Sequence, residues 1–158
     1  MASSKSYTIT LKNNRTERDA LDLMLHSDPL LHEPDSVGRK ALLEHLGIDG
    51  RFSRAFDMVK LKRVVSGDEK LVLVEGEEFE LIEIKSTKKF LPDLPSKFFF
   101  GATENEFELG RLATEKGVRY CFAFVSLHPD SEGHAYVDIV DLDDWIRAKR
   151  IQYQINLK

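Results

Sequence analysis

The chain has 158 residues, 42% hydrophobic and 32% charged, with a net charge of −4 and a pI near 5.8. That length accommodates one domain that buries a core without staples, and that composition is the profile of a globular rather than a disordered chain. The acidic balance argues against a protein that coats nucleic acid through overall charge. It leaves only the short basic clusters 60-KLKR-63, 85-KSTKK-89 and 147-RAKR-150, which are ordinarily solvated surface.

Cys121 is the only cysteine, so no disulfide can form within the chain, which favours a reducing, cytoplasmic setting. The start 1-MASSKSYT-8 lacks the apolar stretch of a signal peptide, and no window approaches the roughly 18 apolar residues of a membrane span.

No internal repeat or low-complexity linker interrupts the chain, which reads as a single domain, 1–158, with a helical portion over 1–47 and an αβ core over 48–158. Residues 15–27, with leucines at 21, 23 and 25 and Met24, predict a helix. The two prolines of 28-DPLLHEPDS-36 mark a loop, after which Asp35 or Ser36 caps a helix over 37–46 that Gly47 ends. Its stripe of Leu42, Leu43 and Leu46 predicts packing on a sheet. Strands are expected over 56–65 and 71–74, separated by the turn 66-SGDE-69, and the acidic turn 75-EGEE-78 leads into 79-FELIEIKST-87. A loop with Pro92 and Pro95 precedes a strand over 97–100. Thr103 and Glu106 have capping-box spacing, which predicts a helix through Glu115 ended by Gly117. The apolar run 119–127 reads as a central strand, followed by a strand over 135–140, a short helix over 143–150 and a final strand over 151–157. The order implies an α+β fold: a mixed central sheet flanked by helices.

The stretch 79–87 carries the chemistry. On a strand, Phe79, Leu81, Glu83 and Lys85 share one face and Ile82 and Ile84 the other, so an apolar row ends in an acid and an amine. As a salt bridge such a pair contributes little at the surface and can be net unfavourable when buried. It is the only E-x-K in the chain, and Asp57 stands at the start of an earlier strand. Magnesium takes hard oxygen ligands, typically one or two carboxylates with water and phosphate oxygens. Asp57 and Glu83 on adjacent strands would supply the carboxylates, the main-chain carbonyl of Ile84 a third ligand, and Lys85 would hold the attacking water and offset charge at phosphorus.

Asp57 with Glu83-Ile84-Lys85 resembles the active-site motif of the PD-(D/E)XK nuclease superfamily, whose restriction-endonuclease-like core matches the predicted order of elements. The segments 81-LIEIKST-87, 98-FFFGATENEFELGRL-112 and 119-RYCFAFVSL-127 are also similar to the nuclease-like domain at the carboxy terminus of NO VEIN proteins. The resemblance implies a Mg²⁺-dependent endonuclease, with Mn²⁺ able to substitute, cutting DNA in a restriction or defence role. A duplex cut on both strands calls for two sites, which is consistent with a homodimer. The alternative is a catalytically degenerate module that keeps the fold and binds nucleic acid or a protein partner.

Two departures bear on the site. Phe56 precedes Asp57 where the motif has proline, and Asp57 lies 26 positions before Glu83, longer than a tight hairpin needs. Asp68 is therefore a rival, since a turn at 75–78 would bring 68–71 opposite 83–86, although 66-SGDEK-70 has the composition of a turn. Asp57 is preferred. Glu44, in the second helix, is a further metal carboxylate or, more in keeping with its place, a solvent-facing helix residue. Glu106, paired with Asn105 in the resemblance, fits a capping box as well as a site. Lys88 and Lys89 are phosphate contacts or plain surface, and 98-FFF-100 is core before it is a base-stacking surface. The five histidines show no metal-ligand spacing, and no phosphate-loop, dinucleotide or serine-hydrolase motif is present.

Overall fold

The computed structural model describes residues 16–65 and 70–158, and the described residues form a five-stranded mixed sheet with helices on both faces. The elements in chain order are α1 (16–27), β1 (Leu31–His32), α2 (Ser36–His45), β2 (Met58–Leu61), β3 (Phe79–Thr87), α3 (Glu104–Glu115), β4 (Arg119–Ser126) and β5 (Gly133–Asp138). Short 3-10 helices cover Gly50–Phe52 and Ile139–Trp145.

The strands lie in the order β1-β2-β3-β4-β5. Neighbours are antiparallel except β3 and β4, which run parallel, with Glu83 opposite Phe122 and Lys85 opposite Phe124. A parallel pair needs a crossover, and α3 supplies it. The helix therefore starts at the end of the sheet where β3 finishes, and its first turn comes to rest beside Lys85.

Strand alternation sorts the core into two layers. Val59, Leu61, Phe79, Leu81, Tyr120, Phe122 and Phe124 pack with Leu42 and Leu43 of α2 and Leu109 and Ala113 of α3. On the opposite face Met58, Ile82, Ala123 and Val125 pack with Ala20 and Met24, one turn apart on α1. The division of β3 expected from its sequence holds: Phe79 and Leu81 lie in the first layer, Ile82 and Ile84 in the second. Among the described residues no helix is long and apolar enough to cross a membrane.

The helix ends follow the expected chemistry. The Asp35 side chain accepts from the Gly38 amide at 2.7 Å, and Gly47 and Gly117 take φ of 71° and 76° beyond the ends of α2 and α3. Thr103 and Glu106 close the capping box at the start of α3.

Several expected strands and one helix are corrected. β2 is confined to Met58–Leu61, and residues 71–74 form no strand. The Arg63 guanidinium donates to the Val72 carbonyl at 2.8 Å, and the Val74 amide donates to the Glu77 carboxylate at 3.1 Å, so side chains take up ladder groups. Leu71 and Leu73 still pack on the core while Val72 and Val74 are exposed. Residues 97–100 alternate inward and outward without a strand partner. The helix expected over 143–150 is a 3-10 helix ending at Trp145, and 151–157 forms no strand, its apolar residues exposed. The turn 66–69, and with it Asp68, lies outside the described residues.

Candidate active site

Asp57 is fixed from both sides before any chemistry begins. Phe56 is fully buried, and the Tyr120 hydroxyl donates to the Ala55 carbonyl at 2.5 Å, anchoring the chain just ahead of β2. The Asp57 amide donates to the Ile82 carbonyl at 2.8 Å, a rung just ahead of the first residue of β2. Beyond that rung the edge of β3 has lost its neighbour, and the Ile84 amide donates instead to the Asp57 carboxylate at 2.8 Å. A strand residue turns its N–H and C=O to the same edge, so the Ile84 carbonyl faces the same gap. The register Met58–Ile82 is what brings Asp57 to Glu83; the 26-residue separation is taken up by the excursion 62–78, whose base Arg63 ties to Glu77 at 2.5 Å.

Glu83 lies on the α3 side of the sheet, next to Asp57. Its side chain is 12% exposed, and one oxygen, Oε2, is buried with no hydrogen-bond donor. Burial, then the charge of Asp57, pushes the Glu83 carboxyl up to about 10; Lys85 opposes the shift and Glu106 adds to it. Two acceptor-only oxygens cannot bond to each other, so a proton or a cation is needed between Asp57 and Glu83. A divalent cation would meet that need, because the pair offers two hard oxygen donors and the Ile84 carbonyl faces the same edge. Among the described residues no group of three or more His, Cys, Asp or Glu side chains is placed to hold a metal ion, so a cation here would keep several waters.

Lys85 has two acidic neighbours. Its ammonium stands 3.6 Å from Glu83 and makes a closer ion pair with Glu106, which is only 4% exposed. The other oxygen of Glu106 accepts from the Thr103 amide at 2.8 Å and from the Thr103 hydroxyl at 2.6 Å. One carboxylate thus begins α3 and holds the amine of β3. Capping and site, alternatives on sequence, are combined in the same side chain.

The other candidates fall away from this centre. Glu44 is exposed on α2, clear of the buried Leu42 and Leu43. Asn105 is exposed in the first turn of α3, and Lys88 and Lys89 are exposed just past β3. Tyr120, which holds the Asp57 segment, was not singled out by the sequence; a tyrosine at the start of an apolar strand gives no sign that its hydroxyl reaches a loop. Burial and the nearby acids push its phenol above the ordinary range.

Comparison with family models, curated proteins and solved structures yields no match.

Proposed function

We propose that this protein is a divalent-metal-dependent endonuclease of the PD-(D/E)XK type that hydrolyses DNA phosphodiester bonds, in a restriction or defence role. The observation that carries the reading is the meeting of Asp57 and Glu83 at the open edge of β3, with Lys85 on the same face as Glu83. Asp57, Glu83 and the Ile84 carbonyl would hold Mg²⁺, with Mn²⁺ as a substitute. A bound divalent cation supplies Lewis acidity at the phosphate and a more acidic water.

The chain's own groups account for the rest. Lys85 presents an ammonium to a phosphate oxygen or to the attacking water, and so offsets charge that grows as the water adds. Glu106 keeps that ammonium from collapsing onto Glu83. Phe122 and Phe124, opposite Glu83 and Lys85, floor the site with apolar surface and strengthen each charge interaction above them. DNA as substrate, a homodimer to cut both strands and a cytoplasmic setting belong to this reading.

The test is nicking of supercoiled plasmid in Mg²⁺ by wild-type protein and by Lys85→Ala. Loss of nicking in the variant supports the reading, and equal nicking by the two proteins rules it out.

A second reading is favoured by one observation: Lys85 is already held in an ion pair with Glu106. A degenerate module that binds nucleic acid or a protein without cutting would tolerate such a tied amine. Calorimetry with Mn²⁺ separates the two, because metal binding abolished by Glu83→Ala counts against the module.

A further inference from the structure

We propose that Phe99 is a stacking platform for an unpaired base, so that the substrate of the Asp57–Glu83–Lys85 site is a nucleic-acid strand with at least one base outside the helical stack. The inference rests on the nuclease reading and adds the substrate class.

The chain leaves β3 through Lys88 and Lys89 and returns over the α3 face of the sheet as 98-FFF-100. Phe98 and Phe100 are anchors. Phe98 lies 4.9 Å from the Phe124 ring, and Phe100 lies 5.6 Å from Phe122 and 4.9 Å from Phe124. Phe122 and Phe124 are the residues registered opposite Glu83 and Lys85. The segment 98–100 is therefore seated beside the acid and the amine, and Phe99 is one residue from both anchors.

Phe99 itself is 88% exposed, the most exposed large hydrophobic side chain among the described residues. Single exposed apolar residues are ordinary on protein surfaces. This one differs in being flanked by two partly buried neighbours whose rings pack on Phe122 and Phe124, the residues registered with Glu83 and Lys85. The Phe107 ring, 40% exposed and 6.2 Å from Phe122, extends the aromatic surface along α3.

A second observation is independent of exposure. Lys97, just before the three phenylalanines, has φ of 66°, the only non-glycine residue in the left-handed region among the described residues. L side chains rarely adopt that conformation, and such positions concentrate where a ligand is gripped. Lys89 and Lys97 are exposed on the two arms of the loop with no ion pair among the described residues, whereas Lys88 lines a cavity with Asp19, Asp22 and His26 on the α1 side of the sheet. An exposed aromatic face bordered by amines suits a strand whose phosphates meet the lysines and whose base meets the ring. A base paired within a duplex offers no free face to such a ring, so the preferred substrate has one exposed.

The experiment measures Kd by fluorescence anisotropy for a labelled oligothymidylate single strand and for a matched duplex, in Mg²⁺. All proteins carry Lys85→Ala so that the strand survives. Phe99→Ala is expected to weaken single-strand binding about ten-fold and to leave duplex binding unchanged, while Phe99→Trp retains affinity and its fluorescence is quenched on binding. Unchanged single-strand binding in Phe99→Ala, or equal weakening for both ligands, overturns the proposal. Plasmid nicking with Lys85 intact is read separately: nicking that is lost in Lys85→Ala but accompanied by an indifferent Phe99 sinks only the stacking inference. Absence of Lys85-dependent cleavage of both the plasmid and the single strand sinks the nuclease reading. The exposure of Phe99 makes its replacement neutral for folding.

Discussion

The Lys85 ammonium is shared unequally between two glutamates, standing 3.6 Å from Glu83 on its own strand and closer to Glu106 on α3. The amine is therefore not simply the partner of the acid two residues before it. The helix that crosses from β3 to β4 brings the stronger partner.

That inequality predicts an asymmetry in stability. Lys85→Ala leaves Glu106 bound to Thr103, whereas Glu106→Ala leaves the Lys85 ammonium only the more distant Glu83 and removes both Thr103 bonds to the carboxylate. Removing one partner of a buried pair costs about 3 kcal/mol, and loss of the hydrogen bonds to Thr103 about 1 kcal/mol more, so Glu106→Ala is expected to be the less stable variant. Urea denaturation with comparable m-values measures both. Equal losses would mean that the capping contribution is absent.

The pH dependence of the metal-free protein follows from Glu83. Its folded value is raised to about 10 from an ordinary 4.5, so between those limits the folded state holds a proton that the unfolded state has released. This contribution to stability is present in full below pH 4.5 and declines as pH rises, until it is gone above about 10. Melting temperature is expected to fall across that range, and Glu83→Gln to flatten the decline. A profile as steep in the variant as in wild type would assign the slope to other groups.

Metal binding should release that proton. Mn²⁺ titrations in two buffers of different ionisation enthalpy are expected to show proton release near neutral pH that disappears in Glu83→Gln. In the same assay Asp57→Asn should lose Mn²⁺ binding and Asp68→Asn should retain it. The reverse result would move the upstream acid to Asp68.

Tyr120→Phe tests the anchor of Asp57. The variant leaves the buried Ala55 carbonyl without its donor, a loss of about 1–3 kcal/mol. Because Ala55 lies two residues before Asp57, Mn²⁺ affinity is expected to weaken as well, although Tyr120 would not touch the cation. Unaltered affinity alongside reduced stability would confine Tyr120 to a structural role.

The two faces of β3 were legible in the sequence because alternation is a backbone property that tertiary context cannot reverse without shifting the register. Thr103 and Glu106 were legible as a cap for a similar reason: both partners lie within one turn. The failures share a cause. Residues 71–74, 97–100 and 151–157 all have strand-like apolar content, but a strand needs a neighbour, and local composition cannot supply one. Leu71 and Leu73 meet the core as a loop; Ile151, Tyr153, Ile155 and Leu157 meet solvent. The Asp57–Glu83 proximity depended on a long-range pairing that the intervening 62–78 obscured. The bond between Lys85 and Glu106 depended on where a crossover helix begins, which is topology rather than pattern.

The double duty of Glu106 has a dynamic consequence. If the first turn of α3 opens, the two Thr103 bonds and the restraint on Lys85 are released together, because they end on the same side chain. Slowed hydrogen–deuterium exchange at the amides that begin this helix would then report how firmly the amine is kept in place, with no substrate present.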